Sequence, residues 1–156
     1  MDDNEKVCCQ EFDPRPWDKK VITWNGKKFI KARVFTIFYM PINFGQVILR
    51  ILKNAREQKV RLQQICLSDH TSKWNMDIYV AVDKEVSGYE NTKMTGRFLS
   101  KVYEGDFKET GNWCADFEKF AKTKNAQIKK MYMFYTTCPA CAKKYGRNYV
   151  VIIGKI

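Results

Sequence analysis

The chain runs through the same order of elements twice, and no other feature limits its possible folds as strongly. Residues 30–40 alternate as a strand, and residues 43–58 repeat apolar positions at helical spacing. Strand-like runs follow at 62–67 and 77–83. About 65 residues later the order recurs, with a strand at 96–104, a helix near 110–124 and strands at 130–136 and 149–156. A strand–helix–strand–strand unit covers only one face of its strands, so two copies are expected to pair around a shared core. The expectation is an α+β fold of two βαββ repeats about a pseudo-two-fold axis. It has an antiparallel sheet, both helices on one face and a central ligand cleft where the repeats meet. Residues 1–29 read as an N-terminal arm with a hairpin strand. Residues 30–83 form repeat one, 84–94 a linker and 95–156 repeat two.

Local signals sharpen this outline. Asn25-Gly26 lies between Val21-Ile22-Thr23-Trp24 and the run at 27–31 and predicts a two-residue hairpin, because both positions accept positive φ. Asn43, just after Pro41, predicts the cap of the first helix. Phe44, Val47, Ile48, Ile51, Leu52 and Ala55 fall on one face of that helix, opposite Arg50, Lys53, Asn54 and Glu57. Trp113, Phe117, Phe120 and Ala121 make the corresponding stripe on the second helix. Both stripes read as core.

A chain of 156 residues is long enough to bury an ordinary core, and a 45% hydrophobic content excludes disorder. No apolar run reaches the roughly 20 residues of a membrane span, so no membrane partner is expected. The start, Met-Asp-Asp-Asn-Glu, lacks a basic-then-apolar leader, and a cytoplasmic protein is expected. The net charge of +11 raises the question of a polyanion. Its cations, however, are scattered and accompany no nucleic-acid-binding motif, so nucleic acid is not the expected partner.

The strands are rich in aromatics: Phe35, Phe38, Tyr39, Tyr79, Tyr103, Tyr132, Phe134 and Tyr135. Alternation sends successive side chains to opposite faces. A two-helix cover then leaves an aromatic face that is either plain core or the lining of a pocket for a flat, hydrophobic small molecule.

The turn Val102-Tyr103-Glu104-Gly105-Asp106-Phe107, running into a helix that bears Trp113, resembles that of the GyrI-like small-molecule-binding domain. The resemblance covers roughly residues 30–156. That family includes effector domains of multidrug-sensing regulators, stand-alone gyrase-inhibitor-type proteins and some hydrolases of cyclopropane-bearing DNA alkylators. Cys8-Cys9, the segment Phe12-Asp13-Pro14-Arg15-Pro16-Trp17-Asp18 and Thr137-Cys138-Pro139-Ala140-Cys141-Ala142 look like a stand-alone branch whose members are often labelled hydrolase. Drug-sensing members usually carry Glu-x-Tyr on the penultimate strand. This chain has Met133-Phe134-Tyr135, which keeps the Tyr and loses the cation-selecting carboxylate. The family turn commonly has His before its Gly, where this chain has Glu104. With no acidic residue after Glu118, a pocket acid must be Glu104, Asp77 or Glu109, and Glu104 is best placed at a strand end.

Cys138-Pro139-Ala140-Cys141 taken alone resembles a redox dithiol, but only 15 residues follow and they end in a strand, which excludes a thioredoxin fold. A metal knuckle is the other reading, with Cys8 and Cys9 completing a structural zinc site; free thiols remain the third. Cys66 and Cys114 read as buried apolar thiols. His70, the sole histidine, lies in a polar turn, and no nucleophile elbow accompanies it. No phosphate-cradling or dinucleotide motif occurs.

Two functions are thus carried forward. The leading one is a stand-alone binding module for a hydrophobic or aromatic small molecule, with a cleft lined by Tyr79, Tyr103, Glu104, Trp113 and Tyr135. The alternative is a hydrolase of an electrophilic small molecule, in which Glu104 orients or deprotonates water and Tyr135 or Tyr103 polarises the leaving group. The four cysteines Cys8, Cys9, Cys138 and Cys141 are the candidate metal ligands, and the oligomeric state stays open.

Overall fold

The structure is a computed structural model that describes residues 12–38, 40–136 and 148–156. It is a mixed α+β protein with antiparallel strand pairing and two helices. The chain divides into a central unit, residues 23–96, and a terminal unit made of residues 1–22 with 97–156.

The central unit contains most of β1 (Lys20–Ile37), the short β2 (Met40–Pro41), α1 (Phe44–Glu57), β3 (Leu62–His70) and β4 (Asn75–Val82). Its strand order is β2-β1-β4-β3, all antiparallel. Ile30 and Val34 from β1 join Met76, Ile78, Val80 and Val82 from β4 in one fully apolar face. The helix α1 lays Ile51 and Ala55 against that face, with Phe44, Val47 and Ile48 partly buried. Full burial of Ile51 contributes about 1.5–3 kcal/mol, and with the smaller shares of Ala55 and the partly buried side chains it holds a helix of 14 residues in place. Leu52, expected in the stripe, is instead 39% exposed, because the helix contacts its strands over a narrower arc than its apolar residues span.

The Asn25-Gly26 pair does not turn a hairpin. It lies inside the continuous strand β1, where Gly26 takes φ +69° and donates its N–H to Thr95 Oγ1 at 2.9 Å. The left-handed residue is absorbed as an irregularity because Thr95 supplies the partner that a reversed strand would have given. Asn43 likewise does not cap α1 with its side chain. Its Oδ1 accepts the N–H of Phe35 at 2.8 Å instead, tying the helix start back to β1.

The terminal unit contains the end of β5 (Glu90–Glu104), α2 (Thr110–Thr123), β6 (Lys130–Tyr135) and β7 (Tyr149–Lys155), with a 3-10 turn at Phe107–Glu109 before α2. The order β6-β7-β5 is antiparallel. Odd positions of β5 and β6 and even positions of β7 face α2: Leu99, Met133, Val150 and Ile152 pack there with Trp113, Phe117 and Ala121. The opposite face is apolar too. Phe134 receives the ring of Phe12 edge-on at 5.9 Å and that of Trp17 at 5.3 Å. Ser100 Oγ donates to the Trp17 carbonyl at 2.6 Å, which anchors the N-terminal segment across this face. The face away from the helix, read from the sequence as either plain core or the lining of a pocket, is covered at Phe134 by Phe12 and Trp17 in this unit.

Gly154 lies where α2 presses closest to β7. A Cβ there would stand 2.8 Å from Phe117 Cε2 and 3.3 Å from Ile128 Cγ2. Gly154→Ala is expected to destabilise the protein by about 1–3 kcal/mol, since a packed ring and a strand backbone must separate. Urea unfolding checks it, and an unchanged midpoint would contradict this packing.

Candidate functional site

The polar chemistry of the terminal unit converges where β5 meets α2. On β5, Lys101 and Tyr103 are two apart and therefore share the face toward α2. On α2, Trp113 and Asp116 are three apart and share one side of the helix. The two pairs meet. Tyr103 donates its hydroxyl to Asp116 Oδ2 at 2.7 Å, and Lys101 Nζ donates to the same oxygen at 2.6 Å. The Tyr103 ring stacks on Trp113 at 5.8 Å and 23°. Lys101 Nζ also lies 5.4 Å from the Tyr103 ring centre and 5.3 Å from that of Phe120.

The electrostatics follow from this geometry. Hydrogen bonds from Lys101 and then Tyr103 hold the Asp116 carboxyl below the usual carboxylate range, so it is an anion at neutral pH. Desolvation first, and the bond to Asp116 second, raise the Tyr103 hydroxyl above the ordinary tyrosine value. Tyr135 lies on the same helix-facing side, and burial pushes it up to about 12. The Cys114 thiol adds to the shift of both tyrosines and packs against the same apolar cluster. Burial, and then Glu118, raise that thiol in turn, so Cys114 is not a thiolate nucleophile. Asp116 itself is about half exposed. Its ion pair with Lys101 is thus a positioning contact, worth no more than about 1 kcal/mol.

The structure brings together three of the residues expected at the site, Tyr103, Trp113 and Tyr135, but on the α2 side and not opposite it. Glu104 stands apart. It is exposed, pairs with Tyr149 across the ladder, and alternation turns it away from the face carrying Tyr103. Tyr79 belongs to the central unit, buried on the face of β4 away from α1, with Lys31 Nζ 5.9 Å above its ring. Asp77 on that same face is held by Lys31 at 3.7 Å and Arg33 at 3.6 Å. Glu109 receives Asn112 Nδ2 at 3.0 Å at the start of α2. The proposed metal ligands Cys8, Cys9, Cys138 and Cys141 lie outside the described residues. Among the described residues no cluster of His, Cys, Asp or Glu is arranged to hold a metal ion.

The residues that sequence reasoning missed are Asp116 and Lys101. Their signals were present in the two-residue spacing of Lys101 and Tyr103 and the three-residue spacing of Trp113 and Asp116. Ser68 and His70 share one face of β3 and Asp69 the other, so alternation denies them a triad. In the central unit a depression of about 350 Å³ is lined by Lys28, Phe29, Glu85, Asn91, Thr92 and Lys93.

A family model described as bacterial hydrolase matches residues 1–156. Among solved structures the chain resembles a hydrolase from Listeria innocua, at 11% identity and a TM-score of 0.59, over 88% of this chain and 91% of that one. At that identity the likeness is one of fold. No curated protein matches the chain. Among the described residues no helix is long and apolar enough to cross a membrane.

The hydrogen-bonded pair sets an alkaline signature. The folded protein keeps the protons of Tyr103 and Tyr135 at pH values where an unfolded tyrosine, near pH 10, has lost its own. The unfolded chain then binds fewer protons, so stability falls as pH rises past about 10. Asp116→Asn removes the anion and is expected to lower the Tyr103 pKa toward its ordinary value while leaving Tyr135 near 12. Ring-carbon NMR titration reads both, and a Tyr103 curve unmoved by the substitution would refute the pairing.

Proposed function

The chain belongs to the bacterial hydrolase family, and we propose that it hydrolyses a small molecule with an apolar, aromatic-sized body and an electrophilic centre, at the α2 side of the terminal unit. The observation that carries this reading is the Asp116 carboxylate. Both hydrogen bonds arrive at Oδ2, which leaves Oδ1 to accept from a water molecule. Held below the usual carboxylate range, Asp116 is a weak base, and its part is to orient the attacking water. Tyr103 donates its hydroxyl to Asp116, and Tyr135, on the same helix-facing side and protonated up to about 12, polarises the leaving group. The indole of Trp113, stacked on Tyr103, supplies the apolar wall for the substrate body. Glu104, first in line from the sequence, is not needed for this chemistry. The finer features of the GyrI-like likeness, the pseudo-two-fold axis and a ligand cleft that includes Tyr79, are carried as part of the same proposal.

A second reading, a binding module without turnover, is favoured by one observation: Tyr103, Tyr135 and Cys114 are all raised, so none is an activated nucleophile. The two readings separate by experiment. Purified protein is assayed against a panel of aryl esters, lactones and epoxides, followed by Asp116→Asn and Tyr135→Phe. The hydrolase reading expects turnover, with kcat lowered about 100-fold or more by each substitution and KM changed little. Hydrolysis that survives Asp116→Asn at full rate would defeat the assignment. Tight binding of a panel member without product supports the module.

A further inference from the structure

At the β1–β2 turn the central unit exposes a compact apolar group that no part of the reaction uses. Phe35, Ile37, Phe38, Ile42 and Trp74 are each half or more exposed. They are neighbours. Ile42 donates its N–H to the Phe35 carbonyl at 3.0 Å, Ile37 pairs with Met40 across the turn, and Phe38 and Trp74 stand ring to ring at 5.2 Å. The backbone around them is secured, with Thr36 donating its N–H to the Trp74 carbonyl at 2.8 Å and its hydroxyl to the Lys73 carbonyl at 2.6 Å. Phe38 takes φ +47°, a left-handed conformation that an aromatic residue adopts only at a cost. That backbone holds its ring in water, at 65% exposure, when a small polar residue would satisfy the same turn without strain.

The cations near the group outnumber the carboxylates. Arg33 is paired with Asp77 at 3.6 Å, while α1 carries Arg50, Lys53 and Arg56 and has Glu57 only at its last position. Residues 70–76, which supply Trp74, add Lys73 and no carboxylate. Lys73 Nζ lies 5.7 Å from the centre of the Phe38 ring. The helix α1, which the turn leads into, exposes Leu49 and Leu52 beside Arg50 and Lys53.

We propose that this surface docks the protein peripherally on an anionic lipid bilayer, with Phe38, Trp74 and Ile42 entering the interface and Lys73 and the α1 cations meeting the headgroup phosphates. Aromatic and aliphatic side chains flanked by lysine or arginine are what the headgroup boundary accommodates. A second copy of the chain suits the surface less well, because pairing it with itself would bring Lys73 of both copies together beside the same apolar side chains. The bilayer supplies both the missing anions and an apolar layer. An enzyme docked in this way would meet hydrophobic substrates where they are concentrated.

Co-sedimentation of the full chain with phosphatidylcholine vesicles containing phosphatidylglycerol, against vesicles of phosphatidylcholine alone, tests this directly. Binding is expected only to the anionic vesicles and is expected to weaken as salt is raised. Phe38→Ser with Trp74→Ser should weaken it about tenfold or more. Lys73→Glu should weaken it about fivefold or more. Because all three side chains are in contact with solvent, each variant should keep the wild-type circular dichroism and thermal midpoint, which separates lost docking from lost folding. The proposal is overturned by no binding to either vesicle, by equal binding to both, or by a double variant that binds as the wild type does. A dimer in solution that Phe38→Ser dissolves would also overturn it and assign the surface to a second copy.

Discussion

Because β6 and β7 are apolar on both faces, the terminal unit must cover both, and the rest of its anatomy follows from that need. Met133, Val150 and Ile152 take α2 as their cover, while Phe134 takes Phe12 and Trp17. Each ring pair adds about 0.5–1.5 kcal/mol beyond the area it removes from water, so the N-terminal segment is a packed component of the sheet. With both faces covered, Lys101, Tyr103, Trp113 and Asp116 gather along the margin between β5 and α2.

The arrangement at that margin is stabilised less by its charges than by its stacking and hydrogen bonds. A half-exposed ion pair such as Lys101–Asp116 contributes little net energy in water. A hydrogen bond to a charged group contributes about 1.5–3 kcal/mol, and the hydroxyl of Tyr103 makes one to Asp116. The stack on Trp113 then sets the plane of the Tyr103 ring, and the preceding strand ends just before Gly105, whose φ of +141° favours glycine. The consequence is a carboxylate whose Oδ2 is held in one orientation by Lys101 and Tyr103.

The central unit distributes its polarity differently. One face of β1 and β4 is wholly apolar under α1, while the other carries Lys31, Arg33, Asp77 and Tyr79. There the nearly buried Asp77 is compensated by two cations at 3.6–3.7 Å, since an isolated buried carboxylate would be too costly to keep ionised. The unit's remaining apolar residues, which neither face accommodates, appear at the β1–β2 turn and along α1 in contact with solvent.

What the sequence determined by itself was the order of elements and the face each residue takes, because period-2 and period-3.6 patterns depend only on near neighbours along the chain. The strand–helix–strand–strand order, the α1 stripe through Ile51 and Ala55, and the α2 stripe through Trp113, Phe117 and Ala121 were all legible in this way. Tyr103 and Trp113 were legible through the turn at Gly105, and Tyr135 through its place on the penultimate strand. What only the tertiary structure decided were the partners brought from far along the chain. Asp116 meets Lys101 across 15 positions, Gly26 meets Thr95 across 69, and Ser100 meets the Trp17 carbonyl across 83. Local propensity cannot specify such meetings. An Asn-Gly pair reads as a turn until a threonine on another strand accepts its glycine's N–H, and Asn43 reads as a cap until a neighbouring strand claims its oxygen. An aromatic strand likewise reads as core or groove until the chain's own Phe12 and Trp17 close over it. Each of these outcomes was settled by which donor, acceptor or ring the fold brought within reach.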